Sequence, residues 1–179
     1  MAGVTGLTRR ALLAAAAAPL ALPATAGAAE RDQAVLNYAL LLERLQATLY
    51  EEALELDLGF DLAGLLRTFA DQEREHIDRL KALGGTEATL RFAYELETRD
   101  EFLRLAPTVE DTVVGAYAGA IPAVITPDAR ALLAGIVHTE AQQAATLRRL
   151  ADEPAAPLAF EELLSRTVLL DRIRPFIAT

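Results

Sequence analysis

Apolar residues return every three or four positions in four long stretches of the chain, the spacing that gathers them on one face of an α-helix. In the first stretch, from Asp32 as a helix-opening residue to the break at Gly59, the inward stripe reads Leu36, Leu40, Glu43, Ala47 and Tyr50. The second opens near Asp61 and stops at Gly84-Gly85, with Leu66, Phe69, Glu73, His76 or Ile77, and Leu80 facing in. The third runs from about Asp100 to Pro122 with Leu103, Ala106, Glu110, Val113 or Val114, and Tyr117 inward. Pro107 falls inside it, and because proline has no amide hydrogen a kink or a restart is expected there. The fourth begins at Thr126, Pro127 and Asp128, which suit an N-cap, a first turn and the positive end of the helix dipole. It continues to about Asp152 with Leu132, Leu133, Ile136, Glu140, Gln143 or Ala144, and Leu147 inward.

Between Gly84 and Arg99 the helical period disappears, and Phe92, Tyr94 and Leu96 alternate as in extended chain. At about 3.3 Å per residue such a segment can run the length of a helix, whereas the other two connections are short. The expected architecture is therefore all-α: an up-down four-helix bundle with one long crossover between the second and third helices. A tail from Pro154, with a short helix near Thr167 to Arg174, is expected to pack across one end of the bundle. The chain then divides into residues 1–28, 29–153 (the bundle) and 154–179 (the tail).

Composition changes the picture at two points. With 53% hydrophobic, 24% charged and 6% aromatic residues, the core must be mostly aliphatic. There is no Cys, which excludes disulfides, zinc fingers and iron–sulfur clusters, and leaves carboxylate, imidazole, phenol or amide as metal ligands. The amino terminus has Arg9 and Arg10, an apolar run broken by Pro19 and Pro23, and small residues at Ala24, Ala26 and Ala28. This pattern predicts an export signal cut after Ala28, of the twin-arginine type from its paired arginines, although an ordinary secretory signal can also contain two. The apolar run is too short to span a membrane comfortably. Removal of these residues would take two of the 17 basic side chains and none of the 26 acidic ones, moving the net charge from −9 to −11. Such a chain is a poor partner for nucleic acid or an anionic membrane.

The chemistry lies in the stripes. Glu73 and His76 stand three residues apart, a spacing that stacks carboxylate and imidazole on one helix face. Alone this Glu-x-x-His is a weak signal, but Glu43, Glu110 and Glu140 each sit near the middle of another predicted helix, inside an apolar face. Whichever way each helix runs, the four carboxylates meet at one level. Buried together they must be protonated, paired or bound to cations, and two divalent ions meet that demand directly. Oxygen donors with few imidazoles suit iron or manganese better than a closed zinc site. Tyr50 and Tyr117 fit plain packing with a hydroxyl partner, or a ligand or redox role. Gln46 is placed to hydrogen-bond a ligand carboxylate, Asp111 to orient His76, and His138 reads as a surface residue.

The phrases LNYALLLERLQATLY, QEREHIDRLKALGG, FLRLAPTVEDTVVGAY and HTEAQQAATLRRL cover nearly all of residues 32–152. In them the chain resembles the bacterial ferritin-like family whose members carry twin-arginine signals. That resemblance implies a ferritin-like bundle, a di-iron carboxylate centre, and metal ligands at Glu43, Glu73, His76, Glu110 and Glu140. Relatives continue the last motif as Glu-x-x-His, where this chain has Gln143. Glu43 with Tyr50, Glu73 with His76, Glu110 and Gln143 also resemble the uneven oxidation centre of storage ferritins, which holds one iron firmly and the other loosely.

Two readings of function follow. One is an exported ferritin-like protein that oxidises ferrous iron or consumes dioxygen or peroxide. The other is a non-catalytic envelope protein whose altered site holds one metal or none. A storage cage ranks below both. On the first reading, Gln143→His should tighten the second metal in a metal titration; unchanged stoichiometry and affinity would count against the assignment.

Overall fold

The computed structural model describes residues 27–178 apart from Thr89. The expected export signal, except for its last two residues, lies outside the described residues. Four long helices follow one another: α1 (Ala28–Ala53), α2 (Phe60–Ala82), α3 (Arg99–Ala120) and α4 (Pro127–Leu150). A short α5 (Arg166–Ile173) closes the chain, and the described residues contain no strand, only an isolated bridge between Phe92 and Ile177. No helix among them is long and apolar enough to cross a membrane.

The direction of each helix follows from its cross-helix bonds. Gln33 and Asn37, early in α1, bond to Gly84 and Thr86, just past the end of α2, so these two helices are antiparallel. Tyr117, late in α3, reaches Glu43, while the earlier Glu110 meets Tyr50, so α3 also runs against α1. Asp32 meets Thr126, and Gln46 meets Glu140, so α4 runs with α1. The order is up, down, down, up, and residues 83–98 carry the chain back along the outside of α1 between the two central members. Along that path Tyr94 donates its hydroxyl to the Leu45 carbonyl at 2.8 Å, and its amide donates to Glu52 at 2.7 Å.

Local chemistry sets the helix ends. At the end of α2, Gly84 has φ 99°, the amide of Gly85 donates to the Leu80 carbonyl and that of Gly84 to Lys81, both at 2.9 Å. This is a Schellman closure, which favours glycine at the left-handed position. At the start of α3, Thr98 accepts from the Glu101 amide at 3.2 Å and Glu101 accepts from the Thr98 amide at 3.0 Å, a reciprocal capping box. The inward stripes fill the interior: Leu42, Leu49, Leu66, Leu80, Phe102, Val113, Leu133 and Leu147 are fully buried, and each contributes about 2 kcal/mol by removal from water.

The structure departs from the sequence expectations in three places. First, α3 does not restart at Pro107, which lies buried within one continuous helix. A proline deprives the helix of a single hydrogen bond, here to Leu103, and burial of the flanking apolar residues outweighs that loss. Second, α1 begins at Ala28 rather than at Asp32, which is buried and serves another helix. Its carboxylate accepts from the amides of Ile125 at 2.7 Å and Thr126 at 2.8 Å, closing the start of α4, where the Thr126 hydroxyl provides no cap of its own.

Third, the tail lies along the flank of α3, not across an end. Leu164 donates its amide to the Gly115 carbonyl at 3.0 Å. A Cβ at Gly115 would sit 2.7 Å from the Glu162 carbonyl oxygen, and one at Gly119 would collide with that of Leu164. Farther on, Phe176 packs on Tyr94 with ring centroids 4.8 Å apart. Small residues on α3 therefore create the groove that the tail fills, and the tail in turn covers the crossover.

Burial raises the Asp32 pKa, but the amides of Ile125 and Thr126, the Thr126 hydroxyl and the Arg130 charge outweigh it, leaving the carboxyl below its ordinary 3.8. A depressed carboxyl stabilises the fold above that value and loses its contribution as pH falls through the lowered one. Asp32→Ala should therefore cost about 1–2 kcal/mol in urea unfolding at neutral pH. The gap to the native chain should narrow at about pH 3; an equal gap at both pH values would refute this assignment.

Candidate metal centre

Each of the four long helices contributes one fully buried carboxylate at mid-length: Glu43 from α1, Glu73 from α2, Glu110 from α3 and Glu140 from α4. They are there because each replaces an apolar residue in a stripe that the bundle must bury. His76, one turn after Glu73, turns its Nδ1 into the cluster. That nitrogen lies 2.9 Å from Glu43 Oε2, 3.1 Å from Glu140 Oε1 and 3.4 Å from Glu73 Oε2. One atom from each of Glu43, Glu73, His76 and Glu140 fits within a mutual 4.8 Å, which is the compactness a metal ion requires of its ligands.

Glu110 stands to one side of this group. Its Oε1 accepts from the Tyr50 hydroxyl and its Oε2 from the Gln46 amide at 2.9 Å, while the same Gln46 nitrogen also bonds Glu140 Oε2. Gln143 is buried beside it, accepting from Tyr50 at 3.2 Å and donating to Gln72 at 3.0 Å. On the opposite side the Tyr117 hydroxyl donates to Glu43 Oε1. The two phenols thus flank the carboxylates, each held by one of them.

The remaining sequence candidates are placed elsewhere. Asp111 does not reach His76; it forms a two-bonded ion pair with Arg148, whose Nη1 also donates to the Ala155 carbonyl at 3.1 Å and so ties the end of α4 to the tail. His138 is exposed and pairs with Gln142. Gln72 was not singled out from the sequence, although it precedes His76 by one helical turn and shares its face. Both side chains are partly exposed, and they mark the side, between α2 and α4, on which the centre comes nearest to solvent.

Burial dominates the electrostatics. It pushes up Glu43, helped by the charge of Glu140, and pushes Glu110 well above the carboxylate range, helped by Glu140 and Glu73. Glu73 rises to about 8 and Glu140 to about 7 for the same primary reason, against the nearness of His76, which opposes the rise. For His76 burial acts downward, but contacts with Glu140, Glu43 and Glu73 overcome it and raise the imidazole to about 12. Tyr50 and Tyr117 are raised well above 10.0, first by burial and then by nearby carboxylates, and stay protonated.

The residues fit a metal by a direct criterion. Both oxygens of Glu73 and Oε1 of Glu140 are buried with no hydrogen-bond partner of good geometry, and an orphaned buried charged group costs more than the roughly 1–3 kcal/mol of a neutral one. They belong to a cluster of hard oxygen donors with one imidazole and no thiolate, a set that suits iron or manganese.

A helix bundle of this topology with such a centre defines a class, and the comparisons agree. The ferritin-like domain family model matches residues 31–153, and the chain belongs to that family. It is also similar to Protein rds1 of Schizosaccharomyces pombe, at 29% identity in an alignment 155 positions long that covers 75% of this chain and 39% of that protein. The chain therefore spans about two fifths of the length of that relative.

Every perturbed acid here, and His76, binds its proton more tightly folded than unfolded. The stability they contribute is full below the unfolded values of 4.5 and 6.5. It is lost as pH rises, through about 7 for Glu140 and about 8 for Glu73, with the His76 part fading from 6.5 towards about 12. Chelator-treated protein should thus melt at a lower temperature at about pH 8.5 than at about pH 5.5. A midpoint that stays level or rises between them would contradict this charge balance.

Proposed function

We propose that this chain is a metal-binding ferritin-like protein that holds two iron ions among Glu43, Glu73, His76, Glu110 and Glu140, and oxidises ferrous iron at the expense of dioxygen or peroxide. The observation that carries this reading is the burial of four carboxylates, one from each helix, around an imidazole, with both oxygens of Glu73 lacking a hydrogen-bond partner. Manganese meets the same donor set. Two iron ions held there would supply one electron each to the oxidant and would neutralise the cluster. With peroxide as oxidant, two ferrous ions give up two electrons, and peroxide takes these with two protons to yield two waters.

The protein's part is to place the donors and to manage protons. His76 is the terminal base on one side, with its Nδ1 among Glu43, Glu73 and Glu140. Cation binding requires that nitrogen and the carboxylates to be unprotonated, so loading releases protons into the site where the oxidant needs them. The aliphatic layers above and below keep bulk water away. Export of the folded protein through its paired-arginine signal would put this activity outside the cytoplasmic membrane.

A second reading rests on a specific observation: Glu110 is already satisfied by Tyr50 and Gln46, and Gln143 provides an amide where an imidazole would bind more strongly. On it the bundle keeps one ion or none and performs no oxidation.

Metal analysis of the full-length chain, followed by anaerobic ferrous titration and exposure to air, separates the two. The first reading expects about two irons per chain, oxygen uptake above the buffer rate, and loss of both in Glu73→Ala. One ion or none, with the native chain and Glu73→Ala oxidising iron no faster than buffer, would leave only the second.

A further inference from the structure

The side chains of α1 that face the centre are Glu43, Gln46 and Tyr50, one helical turn apart and all fully buried. Gln46 is the one whose partners do not add up. Its amide nitrogen serves two carboxylates at once, Glu110 Oε2 at 2.9 Å and Glu140 Oε2 closer still, while its carbonyl oxygen has no partner at all. The opposite orientation would set the carbonyl oxygen against two carboxyl oxygens. The amide is thus held at one end and orphaned at the other.

Glu140 links this arrangement to the rest of the cluster. Its Oε1 is turned to His76 at 3.1 Å, and its Oε2 is taken by Gln46. The side that includes His76, Glu43 and Glu73 is ready for a cation, whereas the side that includes Glu110 is closed by a hydrogen-bond donor. Resting on the metal-centre reading above, we propose that Gln46 is a positioning residue that competes with the second cation: its amide bridges Glu110 and Glu140 in the metal-free protein, and must swing away before a second ion binds. The first ion therefore loads without rearrangement and the second at the expense of two hydrogen bonds to carboxylates. Gln46 thus adds to the inequality of the two positions beyond what Gln143 contributes.

By linkage, whatever stabilises the metal-free form weakens metal binding. Mn(II) titration of the full-length chain by calorimetry, in the native protein, Gln46→Met and Gln46→Glu, provides the test. Met keeps the length without a donor, and Glu keeps an oxygen but replaces the amide with a carboxyl. Gln46→Ala replaces Gln46→Met in the measurement if the latter does not fold. In both variants the second Mn(II) should bind about tenfold tighter or more, with the first changed by less than about twofold. The metal-free melting temperature of Gln46→Met should fall, and its rise on saturation with Mn(II) should exceed that of the native chain.

A side chain with a merely structural role would leave the ratio of the two affinities unchanged, and that result overturns the proposal. Loss of the second ion in Gln46→Met with retention in Gln46→Glu also overturns it, and makes the Gln46 carbonyl a ligand instead. If the native chain and Glu73→Ala alike bind no Mn(II), the metal-centre reading itself fails and the proposal fails with it.

Discussion

Taking a carboxylate out of water costs roughly several kcal/mol, and this bundle does so four times at one level, with a single imidazole as the base among them. No arrangement of aliphatic side chains relieves that cost; only protons, hydrogen-bond donors or cations do. The rest of the centre can be understood as the response. Tyr117 donates to Glu43, Tyr50 and Gln46 to Glu110, Gln46 again to Glu140, and His76 stands among Glu43, Glu73 and Glu140. Glu73 is left with the least help, and it is the carboxylate nearest the middle of the demand for a cation.

The same constraint explains the helix packing around the centre. Each long helix must place one acid at mid-length and bury Leu, Phe, Val or Ile on either side of it, so the cluster is sealed by apolar layers that raise every pKa within it. The seal is thinnest between α2 and α4, where Gln72 and His76 are partly exposed. Family membership and the buried cluster belong together here: the fold provides four helices whose midpoints coincide, and the sequence places a donor on each.

Much of this was legible in the residue pattern. The 3.6-residue period located the last three long helices to within two residues or so, though α1 ends at Ala53, six residues before the expected Gly59, and the acids that interrupt the period were the ones that converged. Glycines told the truth at Gly84, where a left-handed turn is needed. What the period could not show was pairing at a distance. Asp111 and Asp32 looked like a helper for His76 and a local cap, yet their partners proved to be Arg148 and the start of α4, because the partner of a charged side chain depends on which helix lies beside it. Pro107 does not restart its helix, since a single missing hydrogen bond does not outweigh a buried face. The capping box at Thr98 and Glu101 was readable from its Thr-x-x-Glu spacing, and Gln72 from its place one turn before His76. The course of the tail was not, because its groove comes from the absence of side chains at Gly115 and Gly119.

The cap that Asp32 provides to α4 bridges 94 positions in sequence. The opening turns of α1 thus hold the backbone that leads into α4, whose own N-cap Thr126 provides no side-chain cap. This long-range bond joins the opening of α1 to that of α4, and with it the two helix pairs that carry Glu43, Glu73, Glu110 and Glu140.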